Sequence, residues 1–252
     1  MTSPGPLLSV EGLSRHFGAL GAVNRVSFTV GREERRALIG PNGAGKTTLF
    51  NLITGVLAPS SGQIVFDGAV ITGLPPHAVA RRGLSRSFQR NNLFANLSVL
   101  ENLRLAVAAR ERGSYDLLGS VRRLTGTLAG AREMADAVGL VERLDTPAGR
   151  LSHGEQRQLE VGIALSTAPT LLLLDEPTAG MSPEETHRMT ELLLGLPRRV
   201  TLLIIEHDMD VVFSLADRIT VLHYGEVLAD GTPDAVRADP RVYEVYLGTG
   251  DE

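Results

Sequence analysis

The sequence predicts an α/β protein with a mainly parallel sheet, a smaller antiparallel β part and an inserted helical subdomain. Short β-branched or leucine-rich runs alternate with longer helical patterns, as expected when helices cover a parallel sheet. Two turn signals, Asp67-Gly68 and Tyr224-Gly225, fold the chain back and indicate antiparallel strands. With 252 residues, 43% of them hydrophobic, the chain can bury one sizeable core.

Six short runs are the candidate strands: 36–39, 63–66, 84–88, 170–174, 200–205 and 219–223. Between about residues 98 and 168 the strand signals give way to helical spacing, as at Leu100, Leu103 and Val107. We therefore predict a single domain. Its core and β part comprise about residues 1–97 and 169–252, and its helical subdomain about residues 98–168. Two local interpretations complete the outline, a loop or irregular helices over 113–130 and a solvated charged face over 31–36.

The composition argues for a soluble protein without a nucleic-acid partner. No apolar run approaches the roughly 18 residues that a membrane-spanning helix needs. The first residues lack a charged segment followed by an apolar one, so we expect no secretory signal and a cytoplasmic location. The formal net charge is −4, with acids and bases mixed along the chain, which indicates no broad basic surface.

Residues 40–48, with the sequence GPNGAGKTT, match the phosphate-binding pattern G-x-x-x-x-G-K-[ST] and are called the P-loop below. Glycines in such a loop let the backbone N–H groups approach phosphate oxygens closely. Lys46 would supply positive charge to the β- and γ-phosphates, and Thr47 a hydroxyl for Mg²⁺. A predicted strand enters the loop and a predicted helix over 46–54 leaves it, so the helix N-terminus faces the anion. The alternative is a glycine-rich turn that only reverses the chain.

Polar side chains follow three other predicted strands. Asp175 and Glu176 end the run at 170–174, where Asp175 would bind Mg²⁺ directly or through water and Glu176 could act as general base. Gln89 and His207 each end another strand, and the carboxyl ends of parallel strands meet at one edge, so these residues could converge with Lys46. The alternatives are a surface turn for Asp-Glu-Pro and solvated loop positions for Gln89 and His207 taken singly.

The stretch 151–160, LSHGEQRQLE, places a serine beside a histidine at the start of a predicted helix. Ser152 and Glu155 form a capping-box pattern, which favours an ordinary N-cap over a nucleophile and its base. A serine hydrolase would also need a nucleophile elbow and an oxyanion hole, for which the sequence has no signal. A helix that begins with Ser, His and Gly is also a phosphate-binding site, so the chain carries two such helix tips.

Taken in order, the P-loop, Gln89, the LSHGE stretch, the Asp-Glu-Pro strand and His207 resemble the motifs of ATP-binding cassette (ABC) ATPases over almost the whole chain. The resemblance implies that Ser152 and Gly154 close over ATP held by the P-loop of a second subunit. It also implies that Phe17 stacks on adenine, although a core phenylalanine is the alternative. Gln89 would sense Mg²⁺ and the γ-phosphate, with its loop through residue 97 meeting a membrane subunit, and His207 would contact the γ-phosphate.

The cofactors implied are ATP and Mg²⁺. The implied site comprises, for the nucleotide, Phe17, Asn42, Gly43, Ala44, Gly45, Lys46, Thr47, Thr48, Ser152 and Gly154; for the metal, Thr47, Gln89 and Asp175; and for catalysis, Lys46, Gln89, Glu176 and His207. Three residues depart from the commonest family pattern: His153 and Glu155 stand for Gly and Gln, and Ser182 stands for Asp. These departures bear on the strength of the contact between subunits. Ser182 still begins a capping box, which keeps the local structure.

Within that family, the LSHGE stretch, the phrase IEHDM at 205–209, the long loop near 113–130 and the ending at 242–248 are similar to ATPases of branched-chain amino acid importers. The resemblance implies a peripheral subunit on the cytoplasmic face of the bacterial inner membrane. Its partners would be permease subunits, a second ABC ATPase subunit in a homo- or heterodimer and, indirectly, a solute-binding protein. The alternatives are ATPases of urea importers, of lipopolysaccharide export, or a soluble ABC ATPase unrelated to transport.

Overall fold

The computed structural model describes residues 5–87, 93–111 and 120–246. Its larger sheet contains the strands β3 (Arg35–Ile39), β6 (Leu84–Arg86), β7 (Leu171–Asp175), β8 (Thr201–Ile205), β9 (Arg218–His223) and β10 (Glu226–Gly231). They are ordered β10-β9-β3-β8-β7-β6, and all neighbours are parallel except β9 and β10. The predicted mainly parallel sheet is therefore confirmed. Every residue of β3, β7 and β8 is buried, because one face of this sheet packs against helices and the other against a helix and a second sheet.

A second, antiparallel sheet contains β1 (Leu8–Phe17), β2 (Leu20–Val30), β4 (Ser61–Phe66) and β5 (Ala69–Val70) in the order β2-β1-β4-β5. The two predicted hairpins are confirmed, one at the end of this sheet and one at the edge of the larger sheet. Both central residues of each turn have positive φ, as a type I′ turn requires. The long strands β1 and β2 were not predicted, although Val26, Phe28 and Val30 alternate inward as a half-buried strand does.

The helices are α1 (Lys46–Ile53), α2 (Pro76–Ala80), α3 (Val99–Glu111), α4 (Ser120–Ala137), α5 (His153–Ser166), α6 (Pro183–Gly195), α7 (Met209–Leu215), α8 (Pro233–Arg237) and α9 (Pro240–Tyr246). In sequence, α3, α4 and α5 lie between β6 and β7. They share one buried apolar cluster with the sheet, in which Leu103 and Leu159 join Leu172 of β7. None of the helices in the described ranges is long and apolar enough to cross a membrane.

Two local interpretations were wrong. The loop interpretation of 113–130 fails from residue 120 onward, where α4 begins; residues 112–119 lie outside the described residues. The charged face at 31–36 is only partly solvated, since Arg36 is 2% exposed. Its guanidinium is neutralised by Glu34 at 2.7 Å and by Asp230, and it also donates to Thr220. A buried arginine is tolerated when its charge and its N–H groups are matched in this way.

Candidate functional site

The P-loop connects the end of β3 to the start of α1. Its backbone depends on glycine at Gly40 and Gly45, whose φ angles are 155° and 101°. A Cβ at Gly40 would lie 2.2 Å from the carbonyl oxygen of Leu222, and one at Gly45 would lie 2.4 Å from that of Ala22. Because Gly45 is also the N-cap of α1, no side chain covers the first amides of the helix. This arrangement leaves backbone donors and the positive end of a helix dipole in the loop.

Lys46, the first residue of α1, is buried, and its Nζ donates to the carbonyl oxygens of Gly40 at 2.6 Å and Pro41 at 3.1 Å. Burial lowers the pKa of Lys46, and the carboxylates of Glu176 and Asp175 oppose that shift. The charges of Glu176 and Asp175, at the end of β7, are thus close enough to influence the lysine of the P-loop. Of the other predicted P-loop ligands, Asn42, Gly43 and Thr47 are exposed, Thr48 is half-buried and Ala44 is buried.

Asp175 ends β7 with its carboxylate buried. Oδ2 accepts a bond of 2.6 Å from Nη2 of Arg86, whereas Oδ1 is buried with no hydrogen-bond partner among the described residues. Burial raises the pKa of Asp175, and the bond and charge of Arg86 oppose this shift. A buried carboxylate oxygen without a partner needs an additional ligand. A hard divalent cation or its bound water supplies one, so this donor set fits Mg²⁺.

Glu176, the next residue, adopts φ 49°, which is left-handed backbone for a non-glycine residue. Its N–H donates to the carbonyl of Ile205 at 2.9 Å, which ties it to the neighbouring strand β8. Strained backbone of this kind persists only where the surroundings enforce it, and it concentrates at functional sites. The side chain of Glu176 is half-buried, so it remains accessible from the sheet edge.

His207 lies just beyond the end of β8, the strand between β3 and β7 in the sheet. The side chain of His207 is 62% exposed. Its neighbour Glu206, which was not among the predicted site residues, is 1% exposed. The carboxylate of Glu206 accepts from N and Oγ1 of Thr178 at 3.0 and 2.6 Å and from N of His207 at 3.1 Å. It therefore fastens the segment after Glu176 to the segment that carries His207. The sequence does contain a signal for Glu206, namely a charged residue at the end of an otherwise apolar strand.

The remaining predicted site residues fall in different places. Phe17, at the end of β1, is 45% exposed, so the alternative of a core phenylalanine is wrong. The guanidinium carbon of Arg15 lies 4.8 Å from the centroid of the Phe17 ring. Gln89 lies outside the described residues.

The α5 tip, residues 152–155, has the predicted capping box. Ser152 Oγ accepts from N of Glu155 at 3.2 Å, and Glu155 Oε2 accepts from N of Ser152 at 2.8 Å. Glu185 of α6 reaches the same tip, where its Oε1 accepts from Ser152 Oγ and from N of Gly154, both at 3.3 Å. A polar cavity of about 390 Å³ lies beside this tip and is lined by α5, α6 and Arg143, not by the P-loop. The two predicted phosphate-binding helix tips, at the starts of α1 and α5, thus lie at separate places in one chain.

A second cavity, called the groove below, lies between the sheet and the helical part of the molecule. Its volume is about 250 Å³, and its lining includes Val56, Val79, Arg86 and, from α5, Glu160 and Ile163. Most of its surface is apolar, with Arg86 and Glu160 as charged residues. Burial raises the pKa of Glu160, and Arg157 opposes this shift through a bond of 2.8 Å.

A glycine loop between a buried parallel strand and a helix, with acids at the next strand ends, defines the class of P-loop nucleotide-binding proteins. The family model for ABC transporters matches residues 23–179. A model for branched-chain amino acid ATP-binding cassette transporters matches residues 226–252. The chain belongs to the ABC transporter ATP-binding family and is an ATPase.

Individual relatives extend this likeness over nearly the full length. The chain is 41% identical to the high-affinity branched-chain amino acid transport ATP-binding protein BraF of Pseudomonas aeruginosa. It is 42% identical to the corresponding protein LivG of Escherichia coli K12. Each alignment covers 96% of this chain and 98% of the relative. Among solved structures, the ADP conformation of an ATP-binding cassette of an ABC transporter has a TM-score of 0.84 and 31% identity, over 97% of this chain and 99% of that one.

Proposed function

We propose that this chain is the ATP-hydrolysing subunit of an importer of branched-chain amino acids. The observation that carries the proposal is the near-complete alignment, at 41% and 42% identity, with two ATP-binding proteins named for that transport. The match of residues 226–252 to the branched-chain amino acid model supports it independently of the ATPase core. Urea import, lipopolysaccharide export and soluble ABC functions receive no comparable support.

The P-loop would hold the triphosphate, with ring stacking on adenine by Phe17. Amides of the loop from Asn42 to Thr48 bind the phosphate oxygens, and Lys46 supplies the positive charge. Its Nζ can leave the carbonyls of Gly40 and Pro41 for phosphate, since an anion is the stronger acceptor.

Mg²⁺ would be held by the hydroxyl of Thr47, by Gln89 and by Asp175 through Oδ1, the oxygen that lacks a partner among the described residues. When bound, the ion neutralises charge on the β- and γ-phosphates. Asp175 suits this role because it is fixed by Arg86 through its other oxygen. The metal would thus connect the P-loop to the end of β7.

Hydrolysis would depend on Glu176 as general base. Its carboxylate takes the proton from a water that attacks the γ-phosphate, and ADP and phosphate leave. The positive φ of Glu176 turns its side chain off the line of β7, which supports separate roles for the two adjacent acids. His207, whose N–H is held by Glu206, would contact the γ-phosphate from the neighbouring strand end.

The α5 tip would complete the site of a second ATPase subunit. Ser152 and Gly154 offer a hydroxyl and an amide donor at a helix N-terminus, and they lie apart from the P-loop of their own chain. A phosphate held by both tips therefore requires two chains. Glu155 keeps the tip formed despite its departure from the family's glutamine, since it completes the capping box and bonds Arg143 at 2.8 Å.

The groove would receive a cytoplasmic segment of a permease subunit. It is apolar, it lies between the sheet and α5, and its lining residues Ser87 and Leu93 flank the segment that contains Gln89. A permease helix bound in the groove would contact the segment that contains Gln89 and would thereby affect the nucleotide site. In such a complex the chain would be a peripheral subunit on the cytoplasmic face of the bacterial inner membrane.

A Glu176→Gln variant tests the hydrolytic role. It should bind MgATP, hydrolyse it far more slowly than the parent and elute as a dimer in size exclusion with MgATP. Glu184→Gln is the matched control, because that side chain is 81% exposed on α6 and should leave all three properties unchanged. Rapid turnover by Glu176→Gln would remove Glu176 from its assigned role.

The substrate is tested in a strain that lacks the gene. Uptake of labelled leucine should fall and should return with the parent gene but not with the Lys46→Ala gene. Loss of urea uptake with intact leucine uptake would transfer the proposal to the urea importers.

A further inference from the structure

Arg86 is the residue that joins the site to the strand leading into the Gln89 segment. Its side chain is only 8% exposed, and its two terminal nitrogens bond to different elements. Nη2 donates to Oδ2 of Asp175 at 2.6 Å, and Nη1 donates to Oδ1 of Asn51 in α1 at 2.5 Å. The guanidinium carbon also lies 5.7 Å from the ring centroid of Phe50. One planar group thus spans β6, α1 and β7.

These contacts determine how the Asp175 carboxylate can be oriented. The side chain of Asp175 is 0% exposed, so bulk solvent does not determine its orientation. With Oδ2 committed to the guanidinium, Oδ1 is the oxygen left without a partner among the described residues. The guanidinium itself is held at its other end by Asn51, on the helix that follows the P-loop. A charge-assisted bond between two buried groups fixes geometry far better than an exposed pair does.

Without Arg86, the remaining cation whose positive charge acts on Asp175 would be Lys46. A carboxylate drawn toward Lys46 would occupy the ammonium group that the phosphates need. It would also turn Oδ1 away from its present direction. Arg86 therefore keeps two charges of the site, those of Asp175 and Lys46, available for the nucleotide complex.

We propose that Arg86 is a positioning residue for the divalent cation, which holds Asp175 by Oδ2 so that Oδ1 is presented to the metal. This inference rests on the proposed function, since it takes the cation to be that of the bound nucleotide. Arg86 touches neither metal nor substrate in this role and acts through Asp175.

The test uses Mn²⁺ as the probe and ADP as the nucleotide, because binding can then be measured without turnover. Electron paramagnetic resonance gives the Kd of Mn²⁺ for the ADP-bound protein, and fluorescence titration in EDTA gives the Kd of metal-free ADP. In Arg86→Met the Kd of Mn²⁺ should rise at least about tenfold, the loss typical when a group that orients a metal ligand is removed. The Kd of metal-free ADP should change by less than about threefold, since the P-loop is untouched.

Arg36→Met is the matched control. Arg36 is also buried, with its side chain 3% exposed, and it is ion-paired to Glu34 and Asp230, but it lies at the start of β3, away from the end that enters the P-loop. It should lose stability in urea as Arg86→Met does, yet keep the Kd of Mn²⁺ within about a factor of two of the parent. A general loss of packing would weaken Mn²⁺ binding in both variants alike, and that result counts against the proposal.

Arg86→Lys covers the case in which Arg86→Met does not fold. A lysine keeps the charge but cannot bond Asp175 and Asn51 as a rigid fork. The Kd of Mn²⁺ should then rise by a smaller factor, about threefold, whereas an unchanged or tighter Mn²⁺ affinity in either variant overturns the proposal. If the parent protein binds neither ADP nor Mn²⁺ with ADP, the proposed function fails instead, so the two failures are distinguishable.

Discussion

Alanine at Gly45 should destabilise the protein more than alanine at Gly43, although both replace a P-loop glycine with positive φ. The φ angles are 101° at Gly45 and 81° at Gly43. A Cβ at Gly45 would lie 2.4 Å from the backbone oxygen of Ala22, whereas one at Gly43 meets no atom of the described chain within 4 Å. The pair therefore separates backbone strain from the cost of close approach.

The magnitudes follow from these two terms. Left-handed backbone costs a residue with a Cβ about 1–2 kcal/mol, and both variants incur this cost. Forcing an extra carbon into a packed site costs about a further 1–3 kcal/mol, which only Gly45→Ala incurs. The neighbouring backbone cannot yield easily, because β2 is bonded to the Tyr224-Gly225 turn through Asn24 at 2.7 Å, and that turn is bonded to Ala44 at 3.0 Å.

Urea unfolding without nucleotide measures the difference. We expect a loss of about 1–2 kcal/mol for Gly43→Ala and about 2–5 kcal/mol for Gly45→Ala. ADP titration of the folded variants should show the larger loss of affinity for Gly45→Ala, since the loop must move to make room. Equal unfolding free energies for the two variants would contradict this expectation, because the close approach to Ala22 would then carry no cost.

Two other substitutions test contacts that the structure adds to the motifs. Glu206→Ala should cost about 2–4 kcal/mol in urea unfolding, because buried donors of Thr178 lose their acceptor. Glu206→Gln should cost less, since its amide keeps one acceptor oxygen, and equal losses for the two variants would contradict this expectation. In Glu185→Gln the glutamine can still complete the capping box of α6, but the negative charge beside the α5 tip is removed. When this change is added to the Glu176→Gln protein, dimerisation measured by sedimentation should need less ATP. Glu184→Gln is the control for Glu185→Gln. Weaker dimerisation of the Glu185→Gln protein would mean that the Glu185 carboxylate stabilises the ATP-bound dimer instead of competing with phosphate.

The parts of the fold that the sequence predicts well are those decided by local pattern. Strands β3, β7, β8 and β9 were located within a residue or two, because a strand buried on both faces is a short apolar run between polar ends. The capping box at Ser152 and the turn at Tyr224-Gly225 were found for the same reason, since each is specified by neighbours within four residues.

The misses have physical causes. In β1 the inward alternation is interrupted by register shifts between Val10 and Leu13 and again before Arg15, so the period-two signal does not persist. The burial of Arg36 depends on Asp230 and Thr220, which lie far away in sequence on β10 and β9. A charged residue in an apolar run indicates only that a partner exists, and the fold decides which one.

The candidate site also combines features of local sequence with contacts that only the fold creates. The sequence predicts that Lys46, Asp175 and His207 lie at one sheet edge, because parallel strands end there whatever their order. The partner of Arg86 depends on the order of the strands. Because β6 lies beside β7, the guanidinium of Arg86 reaches Asp175 and not Glu206, which follows β8, one strand further on. If β6 paired with β8 instead, Asp175 would lose the bond that fixes Oδ2. The proposed ligand Asp175 is therefore visible in the sequence, whereas its contact with Arg86 follows only from the order of the strands.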